Sequence, residues 1–333
     1  MLTRNYRTAV TALFVCLLLV MVLSLRLGAI DLSFSQIFDS LFGGLSGQES
    51  QVYQIIIQIR LPRILAAVFA GAALAVSGAA YQSMFINPLV SPGLLGVLAG
   101  ASFGSAFGML LGKSLLMAQI CAFIFGSLAV IFALMLTGLF KGSRLIMLLL
   151  GGIISSSFFT ALISIIKYLA DPQNELPAIV NLLLGGFSNV TGPTVMAIVP
   201  FMLAGILAIS ILSGYLNILS MGDDEANALG VRVNLIRNAM IALTTLICSL
   251  TVALGGIISW VGLMIPHIAR MLVGPDNRKL IPASGLLGAI YLVLVDDLCR
   301  SATNSEIPIG IVTALIGVPF FVLILWKTDR RWG

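Results

Sequence analysis

The chain has 333 residues, of which 59% are hydrophobic and only 9% are charged, and its mean hydropathy is +1.10. A typical soluble domain has roughly 25% charged residues, so this composition excludes a soluble protein and predicts a chain that lies mostly in lipid. The net charge of +5 does not indicate nucleic-acid binding, because the basic residues are dispersed between apolar runs rather than gathered on one face.

Long unbroken apolar runs recur along the chain, and they indicate helices. A segment that crosses a bilayer must be a helix or a strand of a closed barrel, and barrel strands read as short alternating segments, which these runs do not resemble. We therefore predict an all-α polytopic membrane protein, with spans of about 20 residues each. The ten predicted spans are residues 8–27, 62–85, 93–111, 116–140, 145–168, 193–214, 238–257, 261–273, 281–300 and 309–327.

The first predicted span follows Arg4 and Arg7, a pattern that overlaps that of a secretory signal. No small-x-small cleavage site closes the run before Leu25, and the chain that follows is equally hydrophobic. We therefore interpret it as an uncleaved first helix. No polar segment is long enough to fold by itself, so residues 1–333 are predicted to form a single transmembrane domain.

The distribution of basic residues predicts the orientation, since ten spans put both termini on one side of the membrane. If that side is the cytoplasm, most basic residues lie inside, as the positive-inside rule requires. The predicted inside residues are Arg4, Arg7, Lys141, Arg144, Arg232, Arg237, Arg270, Arg278, Lys279, Lys327, Arg330 and Arg331. The outside exceptions are Arg26, Arg60, Arg63, Lys113, Lys167 and Arg300.

Five glycines recur at four-residue spacing in the third predicted span: Gly96, Gly100, Gly104, Gly108 and Gly112. This spacing leaves one face of the helix without side chains, so another helix can approach closely. Packing within the subunit and lining of a pathway are both compatible with the pattern.

The segment after Gly112, Lys113-Ser114, resembles the end of a phosphate-binding P-loop. The motif requires a glycine five residues before Gly112, where this chain has Phe107, and it requires a preceding strand. We therefore predict that this chain does not bind nucleotide and that any ATPase is a separate chain.

The longest predicted inner loop begins with the acids Asp223, Asp224 and Glu225, which favour a helix N-terminus. Gly230 suits the end of such a helix or a sharp turn. The loop is predicted to form a short helix, a glycine turn and a second short helix through Arg237, together a rigid cytoplasmic knob. An ordinary polar loop is the alternative.

Few ionisable residues are available for chemistry at depth. Asp296 and Asp297 precede Arg300 by four and three residues, a helical spacing at which both acids can pair with it. His267, the single histidine, is predicted to be a structural hydrogen-bonding residue rather than a ligand. No catalytic residues, metal site or redox motif are predicted, because the four cysteines lack C-x-x-C spacing and no acids, histidine or cysteines converge.

Several strings, taken together, resemble the permease subunits of ATP-driven importers for iron-siderophore complexes, haem and cobalamin. They are RLPRILAAVFAGAALAVSGAAYQ (60–82), NPLVSPGLLGVLAGA (87–101), ALGV (228–231), GGIISWVGLMIPHIARMLVGPDNR (255–278), LLGAIYLVLVDDLCR (286–300) and EIPIGIVTALIGVPFF (306–321). The resemblance implies a ten-helix permease with two inverted repeats, near residues 60–168 and 237–327, and helix six at 193–214. It also implies a homodimer in the plasma membrane of a bacterium or archaeon, with the pathway between the two subunits.

The resemblance further implies two partners and their contact residues. A periplasmic or lipid-anchored solute-binding protein would dock on Arg60, Arg63 and Arg300. Exposed guanidinium forks at these positions would suit carboxylates of the partner. The alternative is a structural role, in which Arg300 pairs only with Asp296 or Asp297. Two ATP-binding subunits, which hold ATP-Mg, would contact the coupling loop at residues 221–237. Its predicted contact residues are Asp223, Asp224, Glu225, Ala228, Leu229, Gly230, Val231 and Arg232.

The expected function is therefore import of an iron-siderophore or related metal chelate, by a permease that needs no cofactor of its own. Departures from the family pattern, such as Asn277 in place of a frequent histidine, leave molybdate or tungstate, cobalamin and haem as alternative cargoes. An ion-coupled secondary transporter would need acids at mid-membrane, which the sequence does not provide.

Overall fold

The computed structural model describes residues 6–28, 30–42, 51–112, 115–139, 144–303 and 305–329. Within these ranges every regular element is a helix and there is no strand, so the prediction of an all-α fold is confirmed. The predicted inside residues Arg4, Lys141, Arg330 and Arg331 and the predicted outside residue Lys113 lie beyond the described parts of the chain.

The helices follow one another along the chain with short connections. They are α1 (Tyr6–Arg26), α2 (Phe34–Phe42), α3 (Gln51–Gln54), α4 (Leu61–Met84), α5 (Val97–Gly112), α6 (Leu115–Leu139), α7 (Arg144–Leu169), α8 (Leu176–Leu184), α9 (Gly192–Leu219), α10 (Asp223–Ala228), α11 (Val233–Gly255), α12 (Val261–Val273), α13 (Asn277–Ser301) and α14 (Ile309–Asp329). A π-helical turn, Ile55–Arg60, joins α3 to α4, and a 3-10 turn, Pro92–Leu95, precedes α5.

Seven of the described helices are long and apolar enough to cross a membrane, and three shorter apolar helices, Val97–Leu111, Val261–Val273 and Ile309–Ile324, accompany them. Each of the ten predicted spans falls on one of these helices. The largest differences are at the end of α9, which continues to Leu219, and at the start of α11, which begins at Val233. The division into two inverted repeats stays a prediction.

Helix α4 is the centre of the fold, and α9, α11, α12 and α13 pack around it. Glycines make the closest of these contacts possible. A methyl group on Gly71 would lie 2.1 Å from the Gly288 carbonyl oxygen of α13, and one on Gly78 would lie 1.8 Å from the Gly262 carbonyl oxygen of α12. Backbone therefore meets backbone, which is how small residues promote helix association in lipid.

Replacing Gly78 with alanine is expected to destabilise the permease by about 1–3 kcal/mol, the usual cost of overpacking a close contact. The obstacle at this position is backbone of α12, so no side chain can move aside. Gly138→Ala in α6 is the matched control, because nothing lies within 4 Å of the added methyl group. Thermal unfolding in detergent measures both; equal melting temperatures for the two variants would contradict the packing described here.

The glycines of the four-residue pattern do not form one continuous stripe. Gly100, Gly104 and Gly108 face α6 within the same subunit, and a methyl group on Gly104 would lie 2.1 Å from the Cys121 carbonyl oxygen. Gly96 lies outside α5, at the end of the preceding 3-10 turn with a φ of +82°, and it faces Ser155 of α7. Gly112 is the last residue of α5. The described contacts of these glycines are contacts within the subunit.

Candidate functional site

A cluster of ionised side chains joins the ends of α1, α4 and α13. Arg63, in the first turn of α4, donates from Nε to Asp296 Oδ2 at 2.9 Å and from Nη2 to Asp296 Oδ1 at 2.9 Å. Its Nη1 donates to Glu306 Oε1 at 2.7 Å. A planar guanidinium thus binds two carboxylates, one on α13 and one in the connection to α14, a geometry that arginine suits better than lysine.

A second arginine of the cluster, Arg300, binds within α13 and to α1. Its Nε and Nη2 donate to Asp297 Oδ1, and Nη2 also donates to the Ser24 hydroxyl at 2.7 Å. The Ser24 hydroxyl in turn donates to Asp297 Oδ1 at 2.6 Å. The prediction that both acids pair with Arg300 is therefore correct for Asp297 only. Asp296 points to Arg63 instead, because α4 packs against that side of α13.

The third arginine, Arg60, contacts carbonyl groups rather than acids. It donates from Nη1 to the carbonyl oxygens of Leu25 and Arg26, the latter at 2.8 Å, and from Nη2 to that of Ile30. The last carbonyls of a helix have no partner within the helix, and a cation at this end also suits the helix dipole. Arg60 therefore ties the end of α1 to the start of α4.

The arginines are not the exposed groups that the sequence predicted. Arg60, Arg63 and Arg300 are 5%, 7% and 8% exposed, so the expectation that they present open guanidinium forks is wrong for this conformation. A buried charge needs a partner, and all three find theirs inside the subunit. Their role in docking is not tested by this geometry and stays a prediction.

Glu306 is the solvent-facing member of the cluster, with a side chain that is 43% exposed, against 1% for that of Asp296. Partial burial favours its neutral form, but the hydrogen bond and the charge of Arg63 outweigh this, and the pKa of Glu306 lies below its ordinary value of 4.5. Glu306 is therefore ionised, and bound to Arg63, throughout the neutral pH range.

The lowered pKa of Glu306 predicts how this contact responds to acid. A carboxyl group with a depressed pKa stabilises the fold above its ordinary pKa and ceases to do so as the pH falls through the lowered value. We expect the difference in melting temperature between the natural protein and Glu306→Gln to be constant at neutral pH and to shrink as the pH falls below the ordinary pKa of 4.5. A difference that grew on acidification would contradict the ion pair.

The inner loop contains the predicted short helix, α10, followed by a turn at Gly230 with a φ of +78°. Arg237 of α11 holds this helix, since its Nη2 and Nη1 donate to the two carboxylate oxygens of Asp223 at 2.6 and 3.1 Å. The predicted second short helix does not exist as a separate element: α11 continues from Val233 to Gly255 without a break. The sequence suggested a loop ending near Arg237, but Arg237 is only 1% exposed, because Asp223 neutralises it.

Most of the predicted coupling residues lie on the surface of this loop. Val231 is half-buried, and Asp223 forms an ion pair with Arg237. The exposed members are Asp224, Glu225, Ala228, Gly230 and Arg232. Leu229 is 62% exposed, and the apolar side chain of Met221, before α10, is 59% exposed. We name Met221 and Leu229, which lie between α9 and α11, the loop patch. Exposed apolar residues outside the spans are typical of a surface that binds another protein.

A network of amides fixes the ends of the helices on the side of the loop. Asn217 of α9 donates to Asp276 Oδ1 at 2.7 Å and accepts from the backbone N–H of Asn277 at 2.7 Å. Asp276 is the N-cap of α13 and accepts from the N–H of Arg278. The amide of Asn217 holds the pKa of Asp276 below its ordinary value. Ser83 of α4 donates to Asn277 Oδ1 at 2.6 Å, so the residue that departs from the family pattern joins α4 to α13.

Three further residues of these clusters escaped the sequence analysis. Nothing in the sequence distinguishes Ser24 or Asn217, because each acts on a partner far along the chain. Glu306 lies in a motif that was recognised, but its contact with Arg63 spans 243 positions. The described residues contain no group of three or more His, Cys, Asp or Glu side chains that could hold a metal ion.

An apolar groove of about 620 Å³ lies between α8 and α14. Its lining includes Leu183, Leu184, Ile257, Gly310, Leu315 and Pro319. Three backbone segments meet at one end of it: the N–H of Gly186 donates to the Gly255 carbonyl at 2.8 Å, and the N–H of Ile309 donates to the Gly185 carbonyl at 2.9 Å. The ends of α8 and α11 and the start of α14 thus form one junction.

Comparison with known proteins identifies the family. A model of the FecCD transport family matches residues 16–327. This chain belongs to the FecCD transport family. The molybdate import system permease protein MolB of Haemophilus influenzae is 40% identical over 98% of this chain and 97% of its own length. The hemin transport system permease protein HmuU of Yersinia pestis is 32% identical over 96% of each chain.

Solved structures agree. A structure described as an inward-facing conformation of a metal-chelate type ABC transporter has a TM-score of 0.85 and 37% identity, over 97% of this chain and 100% of the other. PsaBC from Streptococcus pneumoniae, in complex with Fab, has a TM-score of 0.59 at 22% identity and shares the fold alone. The FecCD permease described here is a multi-pass membrane protein and an ABC importer permease, as the resemblance predicted.

Proposed function

We propose that this FecCD permease is the membrane subunit of an ATP-driven importer whose separate ATPase binds the loop between α9 and α11. The observation that carries the proposal is the geometry of that loop. The loop patch is exposed. Helix α10, in the same loop, is fixed to α11 by the ion pair between Asp223 and Arg237. A flexible polar loop would neither expose leucine nor transmit a displacement.

Helix α11 gives the loop a mechanical connection to the other end of the molecule. It runs without interruption from Val233 to Gly255, where the Gly255 carbonyl accepts the N–H of Gly186 and so joins α11 to the end of α8. The Gly185 carbonyl accepts the N–H of Ile309, the first residue of α14. Closure of an ATPase dimer would therefore move the loop as part of a rigid element and displace the helices beside the apolar groove.

The assembly proposed around this subunit contains a second copy of the chain, two ATPase subunits that hold ATP-Mg, and a solute-binding protein. Both termini would lie in the cytoplasm, and the membrane would be the plasma membrane of the cell. Arg7, Arg232 and Arg278 would then share the inner side with the loop, as the positive-inside rule requires. The permease supplies the pathway and the ATPase supplies the hydrolysis of ATP.

Docking of the binding protein takes a revised form, because the arginines are buried. Asp296 occupies one edge of Arg63 and is shielded from solvent, whereas Glu306 on the other edge is half-exposed. A carboxylate of the binding protein would therefore reach Arg63 by displacing Glu306. The displaced segment leads directly into α14, whose first residue is fixed to α8. Complementary charges at such a surface set register and encounter rate more than affinity.

For the cargo, the relatives favour a tetrahedral oxyanion of the molybdate class. The permease whose name states molybdate import shares 40% identity over almost the whole chain, against 32% for the permease named for hemin. An iron-siderophore or related chelate is the second candidate. It is favoured by the solved transporter of metal-chelate type, which is 37% identical over the full length of that chain.

Purification of the tagged permease in mild detergent from its native membranes tests the assembly and the cargo together. We expect an ATPase in stoichiometric amount and a solute-binding protein, detected by mass spectrometry, and bound molybdenum or tungsten in elemental analysis. Iron in place of molybdenum would favour the second cargo. Repeated recovery of the permease alone, still competent for transport driven by an ion gradient, would contradict the importer and favour a secondary transporter.

A further inference from the structure

Helix α2, Phe34–Phe42, lies between the first two spans and presents three different edges. One edge faces the permease, with Ile37 and Ser40 buried. A second edge is polar and exposed and carries Asp39. The third edge is aromatic: Phe34 and Phe38, one helical turn apart, are 48% and 62% exposed. The helix is thus amphipathic, and its aromatic edge points sideways from its contact with the permease.

The local sequence explains why a helix forms here. The Ser33 hydroxyl accepts the N–H of Gln36 at 3.2 Å, and the Gln36 side chain accepts the N–H of Ser33 at 2.8 Å. This reciprocal arrangement is a capping box, which defines where a helix begins. Ile37 then packs with Leu32 and Ile56 beneath it. The position of the aromatic edge is therefore built into the fold.

The surface that continues into this edge is the exposed apolar side of α1. Leu19, Val22 and Leu23 are exposed along α1, and Leu27 and Ile30 are exposed in the link that follows. Because α1 is a membrane span, the exposed side chains along its length meet acyl chains. The apolar surface runs on from them, past the end of the span, to Phe34.

Arg26, at the end of α1, gives this surface the chemistry of a headgroup region. Its guanidinium carbon lies 5.5 Å from the centroid of the Phe34 ring, within range of a cation–π contact. Helices that lie in the membrane interface carry Trp, Phe or Leu on their apolar face, and a long basic side chain there extends to the phosphates. Arg26 was one of the outside basic residues that the positive-inside rule left unexplained.

We propose that α2 lies in the plane of the membrane interface, with the rings of Phe34 and Phe38 among the lipids and Arg26 at the phosphate level. Such helices bury their apolar face at the boundary between headgroups and acyl chains. The inference concerns an exposed surface of the permease and is independent of cargo and of ATP. Through Arg60, which binds the carbonyls of Arg26 and Ile30, this anchor is joined to the start of α4.

Site-directed spin labelling of the full permease tests the proposal. In a Cys16→Ala background the remaining cysteines are buried and do not react with the label. A nitroxide is placed by Phe34→Cys or Phe38→Cys, by Asp39→Cys on the polar edge as the matched control, and by Leu19→Cys as the lipid-facing reference. The protein, with any subunits that co-purify, is placed in nanodiscs of phosphatidylcholine and phosphatidylglycerol. Collisions with oxygen, which concentrates in lipid, and with a water-soluble nickel chelate are then measured.

We expect the ratio of oxygen to nickel collisions at positions 34 and 38 to exceed that at position 39 several-fold and to stay below that at position 19, which lies deeper in the span. Nickel collisions as frequent at 34 and 38 as at 39 would show that the edge lies in water and would overturn the proposal. Low collision rates with both reagents would show that a protein surface, such as a second copy of this chain, covers the edge, which also overturns it. The two phenylalanines are labelled separately, so loss of one variant leaves the other.

Discussion

Leu229→Asp is expected to reduce ATP-driven uptake about tenfold or more while the permease still folds and reaches the membrane. Burying a leucine is worth about 1.5–3 kcal/mol, and 1.4 kcal/mol corresponds to a tenfold change in affinity. Leu229 is 62% exposed in the isolated subunit, so the substitution removes little from the subunit itself. The substitution therefore lowers the affinity of the permease for the ATPase, and the amount of ATPase that co-purifies with the permease measures this change.

The matched control for Leu229→Asp is Asn227→Asp. It adds the same charge two residues earlier, near the end of α10, at an exposed position, but removes no apolar side chain. We expect Asn227→Asp to retain most of the ATPase. If both variants lost the ATPase equally, charge rather than apolar contact would account for the effect, and the loop patch would not be the binding surface.

Asp296→Asn is expected to destabilise the permease by about 3–5 kcal/mol, because it leaves a buried guanidinium with half of its partners. Asp296 binds Arg63 through both carboxylate oxygens and is almost fully shielded from solvent. Glu306→Gln removes the other partner of the same arginine, but from a half-exposed position. Exposed ion pairs contribute about 0–1 kcal/mol, so the two variants should differ clearly in melting temperature.

A double variant separates the cost of a lost ion pair from the cost of an unpaired charge. Replacement of a buried ion pair by apolar side chains of similar size is often neutral or stabilising. We therefore expect Arg63→Met combined with Asp296→Leu to recover much of the stability that Asp296→Asn loses. An Asp296→Asn protein as stable as the natural one would show that the pair is open in the membrane.

The helices could be predicted from the sequence because lipid imposes one rule along the whole chain. A long apolar run in a membrane must be a helix, and each of the ten runs falls on one. The boundaries near charges were less predictable. The sequence predicts a span that starts after Arg237, since an arginine normally marks the end of a span. In the structure Asp223 neutralises this arginine, and α11 begins at Val233.

The partners of the buried charges could not be predicted, because they depend on packing between distant helices. The i,i+3 and i,i+4 spacing indicates that Asp296 and Asp297 can both pair with Arg300. Because α4 packs against α13, Asp296 binds Arg63 of α4 instead, and only Asp297 binds Arg300. The predicted exposure of the three arginines failed for the same reason. The junction of Gly185, Gly255 and Ile309 is equally invisible in the sequence, since it is made by backbone groups.

Transport in proteoliposomes tests whether a separate ATPase drives this permease through the loop patch. Vesicles are made from the purified complex, with ATP inside or absent and the binding protein and labelled molybdate or iron chelate outside. We expect uptake that requires internal ATP, that falls about tenfold or more in Leu229→Asp and that is retained in Asn227→Asp. Uptake that proceeds without ATP, and that Leu229→Asp leaves unchanged, would show that no ATPase drives the permease through this loop.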